Sequence, residues 1–298
     1  MKIGKWNPNA TTVAGGNEFG SELNQLFYPE GIFLDKNQNI FIADTFNHRI
    51  MRWKPNEKTG EIVAGGDGTG AGLDQLNAPR YVIVDEQDHS LIIADDGNDR
   101  VIRWFNRNQQ ELLIDSISCS GLAMDKDGFL YTCDSWKSEV RRWKIGEKGE
   151  GKLVAGGYGK GNHSNQFNSC HYIFVDEEQS VYVSDSGNDR VMKWRKDATE
   201  GIVVAGGNGR GNNLNQLHYA QGIVIDELGR IYITDFSNHR IMRWIEGEQK
   251  GEIIVGGNGK GEESNQLIYP NHLSFDIEGN LYVLDRDNQR VQRFDWIS

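Results

Sequence analysis

Short apolar runs and polar turns alternate along the whole chain, and the pattern repeats about every fifty residues. Each unit opens on an apolar run, as at Ile32-Phe-Leu and Ile223-Val-Ile. A polar turn follows, such as Asp35-Lys-Asn-Gln-Asn or Asp226-Glu-Leu-Gly, and then an alternating run such as Ile231-Tyr-Ile-Thr. A third run closes on an aromatic, at Trp53, Trp104, Trp143, Trp194, Trp244 and Phe294. A fourth carries Val-Ala-Gly-Gly at Val13–Gly16, Val63–Gly66, Val154–Gly157 and Val204–Gly207, with Ile254-Val-Gly-Gly257 close to it. Runs this short, bounded by Gly, Asn and Asp, predict β-strands. Their strict period predicts an all-β fold, a six-bladed β-propeller of four-stranded blades forming one domain over residues 1–298.

The count of runs predicts how the ends meet. The last unit stops near Trp296 without a fourth run, while an orphan fourth run, Thr12–Gly15, precedes the first complete unit. The N-terminal strand is therefore expected to complete the last blade, which removes two sheet edges that would otherwise invite aggregation.

Composition narrows the function classes. With 36 Gly and only 5 Pro, the 298 residues suit many tight turns. No apolar run approaches the roughly 18 residues of a membrane helix. A soluble, monomeric protein is expected; the N-terminus shows no apolar signal stretch, which says little, and the compartment stays open. A net charge of −11 disfavours nucleic acid and anionic membrane as partners. Cys119, Cys133 and Cys170 have no metal-like spacing and are expected to be buried thiols.

The third-strand element carries a second signal. Asp44-Thr-Phe-Asn47-His-Arg49-Ile, Asp185-Ser-Gly-Asn188-Asp-Arg190-Val and Asp235-Phe-Ser-Asn238-His-Arg240-Ile resemble the NHL repeat, and Asn208–Gly211 with Asn215–Leu217 resemble that family's linker. The resemblance runs over nearly the whole chain and implies fold, not activity. Propellers of this type serve as protein-interaction modules, RNA-binding modules, extracellular sensors and, in amidating lyases, metal-dependent active sites. The recurring Asp, Asn, Arg and aromatic residues read as scaffold.

Function is sought where the repeats disagree. The residue just before each first strand reads Glu30, Arg80, Ser120, His171, Gln221 and Asn271, all polar and no two alike. The next position alternates Gly31, Tyr81, Gly121, Tyr172, Gly222 and His272. These residues are expected to ring the channel mouth and to recognise a peptide, a protein or a small ligand. Blade three adds an anomaly. It lacks the glycine-rich linker, has Lys137 and Glu139 in place of the signature Asn and Arg, and offers Trp136 beside an expected notch floored by Ser120.

The alternative is a metal-assisted lyase or hydrolase at the same mouth. The resemblance to amidating lyases places His171 where those enzymes hold zinc, with His272 and Glu30 as further candidate ligands. There Arg80 would hold an anionic group, and Tyr81 or Tyr172 would serve as acid or base. A divalent cation in the central channel is a further expectation, held by backbone carbonyls and water.

Overall fold

The computed structural model describes residues 5–297. Six four-stranded sheets, one per repeat, make up the fold, a six-bladed β-propeller. Blade one runs Gly31–Leu34, Ile40–Asp44, Arg49–Trp53 and Glu61–Gly65. Blade six takes its fourth strand, Thr11–Gly15, from the N-terminus, and this strand pairs with Arg290–Phe294 from Thr11 opposite Arg293 to Gly15 opposite Arg290. The expected closure is therefore present. A short second latch accompanies it, with Lys5–Trp6 pairing to Trp296–Ile297. The buried Trp6 ring lies 4.7 Å from Trp296 and 5.8 Å from Phe275, and its Nε1 donates to the Gly279 carbonyl at 2.9 Å.

Two compact units can be distinguished, one holding the chain up to Ser116 together with Ile254 onward, the other Ile117–Ile253. In both, the closing Trp of a blade packs on the fourth strand of the blade before it. Trp53 shares a cluster with Val13 and Ala14, Trp104 with Val63 and Ala64, Trp194 with Val154 and Ala155, and Trp244 with Val204 and Ala205. Truncating a buried Trp costs about 3–5 kcal/mol, so these contacts are a main cohesive term between neighbouring blades. The Gly that follows the small Ala is required by its backbone. Gly15 has φ +66°, and a Cβ there would meet the Gln289 carbonyl oxygen at 2.2 Å.

The signature Asp, Asn and Arg clamp the glycine-rich linker. Asp44 is buried; its Oδ1 accepts the Phe27 N–H at 2.7 Å, and its Oδ2 accepts from Asn47 at 2.8 Å and Arg49 Nε at 2.7 Å. Asn47 also donates to the Gly20 carbonyl at 2.8 Å, while the Arg49 guanidinium reaches the carbonyls of Ser21, Glu22 and Gln25 at 2.7, 3.0 and 3.1 Å. Arg100, Arg190, Arg240 and Arg290 repeat the arrangement. Burial pushes the carboxyls of Asp44, Asp185, Asp235 and Asp285 above their usual range, while Asn and Arg donors oppose it. These bonds place the linkers on the same face as the turns after the second strands.

Blade three departs from this scheme for one physical reason. Its first strand, Cys119–Met124, follows the preceding strand Gln109–Asp115 almost directly, so there are no linker carbonyls for an Arg to hold. Glu139 stands there and pairs with Arg141 at 2.7 Å, and Asp134 Oδ1 accepts instead from the Trp136 and Lys137 N–H groups, each at 3.0 Å. Missing linker and broken signature are one change.

Cys119, Cys133 and Cys170 are all buried. The sulfurs of Cys133 and Cys170 meet between the second strand of blade three and the first strand of blade four. An odd cysteine count with irregular spacing gives no sign of this contact, because blade packing brings the two residues together.

Candidate functional site

The divergent residues of blades six, one and two converge. Arg80 opens the second residue of the strand Pro79–Val84, and its Nε lies 2.9 Å from Asp96 and 3.6 Å from Glu30. Glu30 also faces Arg286 at 3.7 Å, and Arg286 bonds Asp287 at 3.0 Å while its guanidinium lies 4.8 Å from the centre of the Tyr28 ring. Asn271 is buried and donates to the Glu30 carbonyl at 2.8 Å, fixing the backbone beneath the network. Both arginines and all three carboxylates keep part of their side chains in solvent. The five charged side chains are only 16–34% exposed and form one network rather than isolated surface pairs.

Behind the network lies a buried polar pair. The Tyr81 hydroxyl meets His272 Nε2 at 2.9 Å, with ring centres 5.0 Å apart and the rings edge to face. Tyr81 comes from blade two and His272 from blade six; they meet because blade one carries Gly31. A Cβ on Gly31 would lie 2.5 Å from the Tyr81 ring and 2.7 Å from the Arg80 carbonyl. Burial pushes the Tyr81 hydroxyl well above its ordinary pKa and the His272 imidazole down to about 3. Both are therefore neutral near pH 7, joined by a hydrogen bond between uncharged groups.

The remaining residues of the expected ring lie in the other unit. Ser120 is buried, its hydroxyl donating to the Cys170 carbonyl at 2.8 Å, so it does not floor an open notch. Trp136 is 80% exposed. His171 is partly exposed; its Nδ1 is 3.1 Å from the Ser186 hydroxyl and its ring centre 5.6 Å from that of Tyr219. Tyr172 and Gln221 are buried, the Tyr172 N–H bonding Ser184 Oγ at 2.9 Å.

The expected metal ligands do not form a donor set. Glu30 is held between two arginines, and His272 is engaged with Tyr81. Among the described residues, no group of three or more His, Cys, Asp or Glu stands where it could hold a metal ion. These residues do not fit the zinc centre that the lyase resemblance implies.

Asp96, Arg286 and Asp287 lie outside the ring read from the first strands. Asp96 and Arg286 follow the second strand, where the repeats read Thr45, Asp96, Ser135, Ser186, Phe236 and Arg286. That position repeats only Ser, is nearly as divergent as the other, and is equally legible. What a repeat comparison lacks is the information that the two positions face one another across blades.

Residues 217–243 match the NHL repeat model. No curated protein is similar in sequence. An auxiliary nutrient binding protein from Bacteroides thetaiotaomicron superposes with a TM-score of 0.75 at 15% identity, over 100% of this chain and 78% of that one. A gluconolactonase from Xanthomonas campestris does so with a TM-score of 0.66 at 14% identity, over 98% and 99%. Virginiamycin B lyase from Staphylococcus aureus gives a TM-score of 0.56 at 10% identity, over 93% and 97%. Identities this low establish the fold alone. Residues 217–243 thus carry an NHL repeat within a six-bladed β-propeller.

Proposed function

We propose that this protein is a binding module, and that the loop-bearing face of blades six, one and two recognises its ligand through Glu30, Arg80, Asp96, Arg286 and Asp287. One observation carries the reading. In blades six, one and two, residues from positions at which the repeats differ meet in this network, on a framework held by the signature clamps of those blades. The arginines are oriented by their carboxylates and so present fixed N–H donors to a ligand. A nutrient-binding protein of the same fold is consistent with such a role.

Chemistry at the same face is supported less well. Tyr81 and His272 are buried and bonded to each other, so they are poorly placed to exchange protons with a substrate. The fold likeness to a gluconolactonase and to a lyase keeps turnover worth assaying.

A thermal-shift screen of metabolites and peptides tests the proposal. Compounds that stabilise the wild-type protein should lose that effect in the Arg80→Ala/Arg286→Ala variant. Hits that stabilise both proteins equally refute the assignment of the site.

A further inference from the structure

Four aromatic rings gather on the loop-bearing face of blade one. Phe19 stacks on Phe27 at 5.8 Å between ring centres, Phe27 contacts Tyr28 at 5.4 Å and Phe46 at 5.5 Å, and Tyr28 meets Phe46 at 5.4 Å. Phe19 is 70% exposed and Phe46 52%. Single exposed apolar side chains are ordinary on a protein surface; a contiguous aromatic patch marks a place of contact.

The repeats supply an internal control. Phe19 bridges to Leu26, and the residues making the same bridge in other blades are Thr69, Lys160, Arg210 and Lys260. Phe46 is the middle residue of the turn Thr45–Asn47, and its counterparts are Gly97, Gly187, Ser237 and Asp287. The backbone takes the same course with all of these, so folding does not require the rings. The charge around them also differs. Residues 17–28 carry Glu18 and Glu22 and no Lys or Arg, and the neighbouring linker of blade two, residues 67–78, carries Asp67 and Asp74 and no Lys or Arg. The counterparts 158–169 and 208–219 carry Lys160 and Arg210 and no carboxylate, while 258–269 carries Lys260 with Glu262 and Glu263; Arg286, whose guanidinium lies over the Tyr28 ring, is itself paired with Asp287 and Glu30.

We infer that this platform docks a basic peptide segment of a partner protein. A large apolar side chain of the segment sits among Phe19, Phe27, Tyr28 and Phe46, and flanking Lys or Arg residues face Glu18 and Glu22. The inference rests on the reading of this face as a binding surface and gives its ligand a chemical class. Arg and Lys gain on aromatic faces as well as from carboxylates. A neutral sugar would also stack on the rings, but only a cation gains Coulomb attraction from Glu18 and Glu22 as well. The net charge of −11 favours approach of a cation at long range.

Selection of a random peptide library, displayed on phage, against the wild-type protein tests this. Peptides that are enriched should be net basic and carry Phe, Trp or Leu. Their affinity should fall by about tenfold or more in a Phe19→Ser/Phe46→Ser variant, whose altered side chains are exposed and whose fold a melting curve checks. A Glu18→Lys/Glu22→Lys variant should lose about tenfold at low salt, with the gap closing at high salt. Enriched peptides that are neutral or acidic, or that bind these variants as well as wild type, overturn the proposal. A neutral oligosaccharide that needs Phe19 and Phe46, with no peptide doing so, overturns it too. Ligands that depend on Arg80 and Arg286 but not on the rings refute this inference alone; ligands indifferent to all four refute the wider reading as well.

Discussion

Acidification from pH 7 to pH 5 should destabilise the protein by about 2 kcal/mol through His272 alone. The imidazole is buried against Tyr81, and its pKa is pushed from 6.5 down to about 3. The unfolded chain therefore binds a proton below pH 6.5 that the native state refuses until about pH 3. The stability that His272 contributes is fully present above the unfolded value and is lost as pH falls through that window. Over the whole window the linkage amounts to about 5 kcal/mol, of which about 2 kcal/mol is reached at pH 5. The assay is urea unfolding of wild type and of a His272→Gln variant at pH 7, 6 and 5. Gln keeps an uncharged acceptor near the Tyr81 hydroxyl and does not titrate. The stability difference between the two proteins should shift by about 2 kcal/mol in favour of the variant between pH 7 and pH 5. Parallel pH profiles would refute the reasoning, because they would mean that native His272 takes up its proton as readily as the unfolded chain.

Other expectations follow from the scaffold. Arg240→Ala should cost about 3–5 kcal/mol in chemical denaturation, since it leaves Asp235 buried without its cation. Glu139→Arg, which restores the repeat signature in blade three, should bring no gain in melting temperature, because no linker carbonyls await the guanidinium and Arg141 loses its partner. Deleting residues 1–16 removes the fourth strand of blade six and the Trp6 latch, and should lower the melting temperature far more than the length of the segment suggests; residues 1–4 of it lie outside the described structure. An unchanged melt would contradict the closure.

Much of the fold was legible because the repeat is strict. Strand order, the closing aromatics and the completion of blade six follow from periods and counts that backbone geometry imposes. The clamp was legible as an ion-pairing element, but its target was not, since the carbonyls of Ser21, Glu22 and Gln25 carry no side-chain signal. The site was half legible. Glu30, Arg80, Tyr81, Asn271 and His272 stand out by divergence, yet the sequence does not say that Tyr81 and His272 meet over Gly31, nor that Arg286 answers Glu30. Such pairings depend on the distance between blades. The same limit hid the Cys133–Cys170 contact and the aromatic cluster around Phe46, whose members come from two different loops.

The most direct test of the binding site is isothermal titration of a ligand recovered from the screen into wild-type protein and into the Arg80→Ala/Arg286→Ala variant. A loss of affinity of about tenfold or more, with the variant's melting temperature close to that of wild type, is the predicted result. Equal affinities in a folded variant would contradict the claim that this charged network is where the protein meets its ligand.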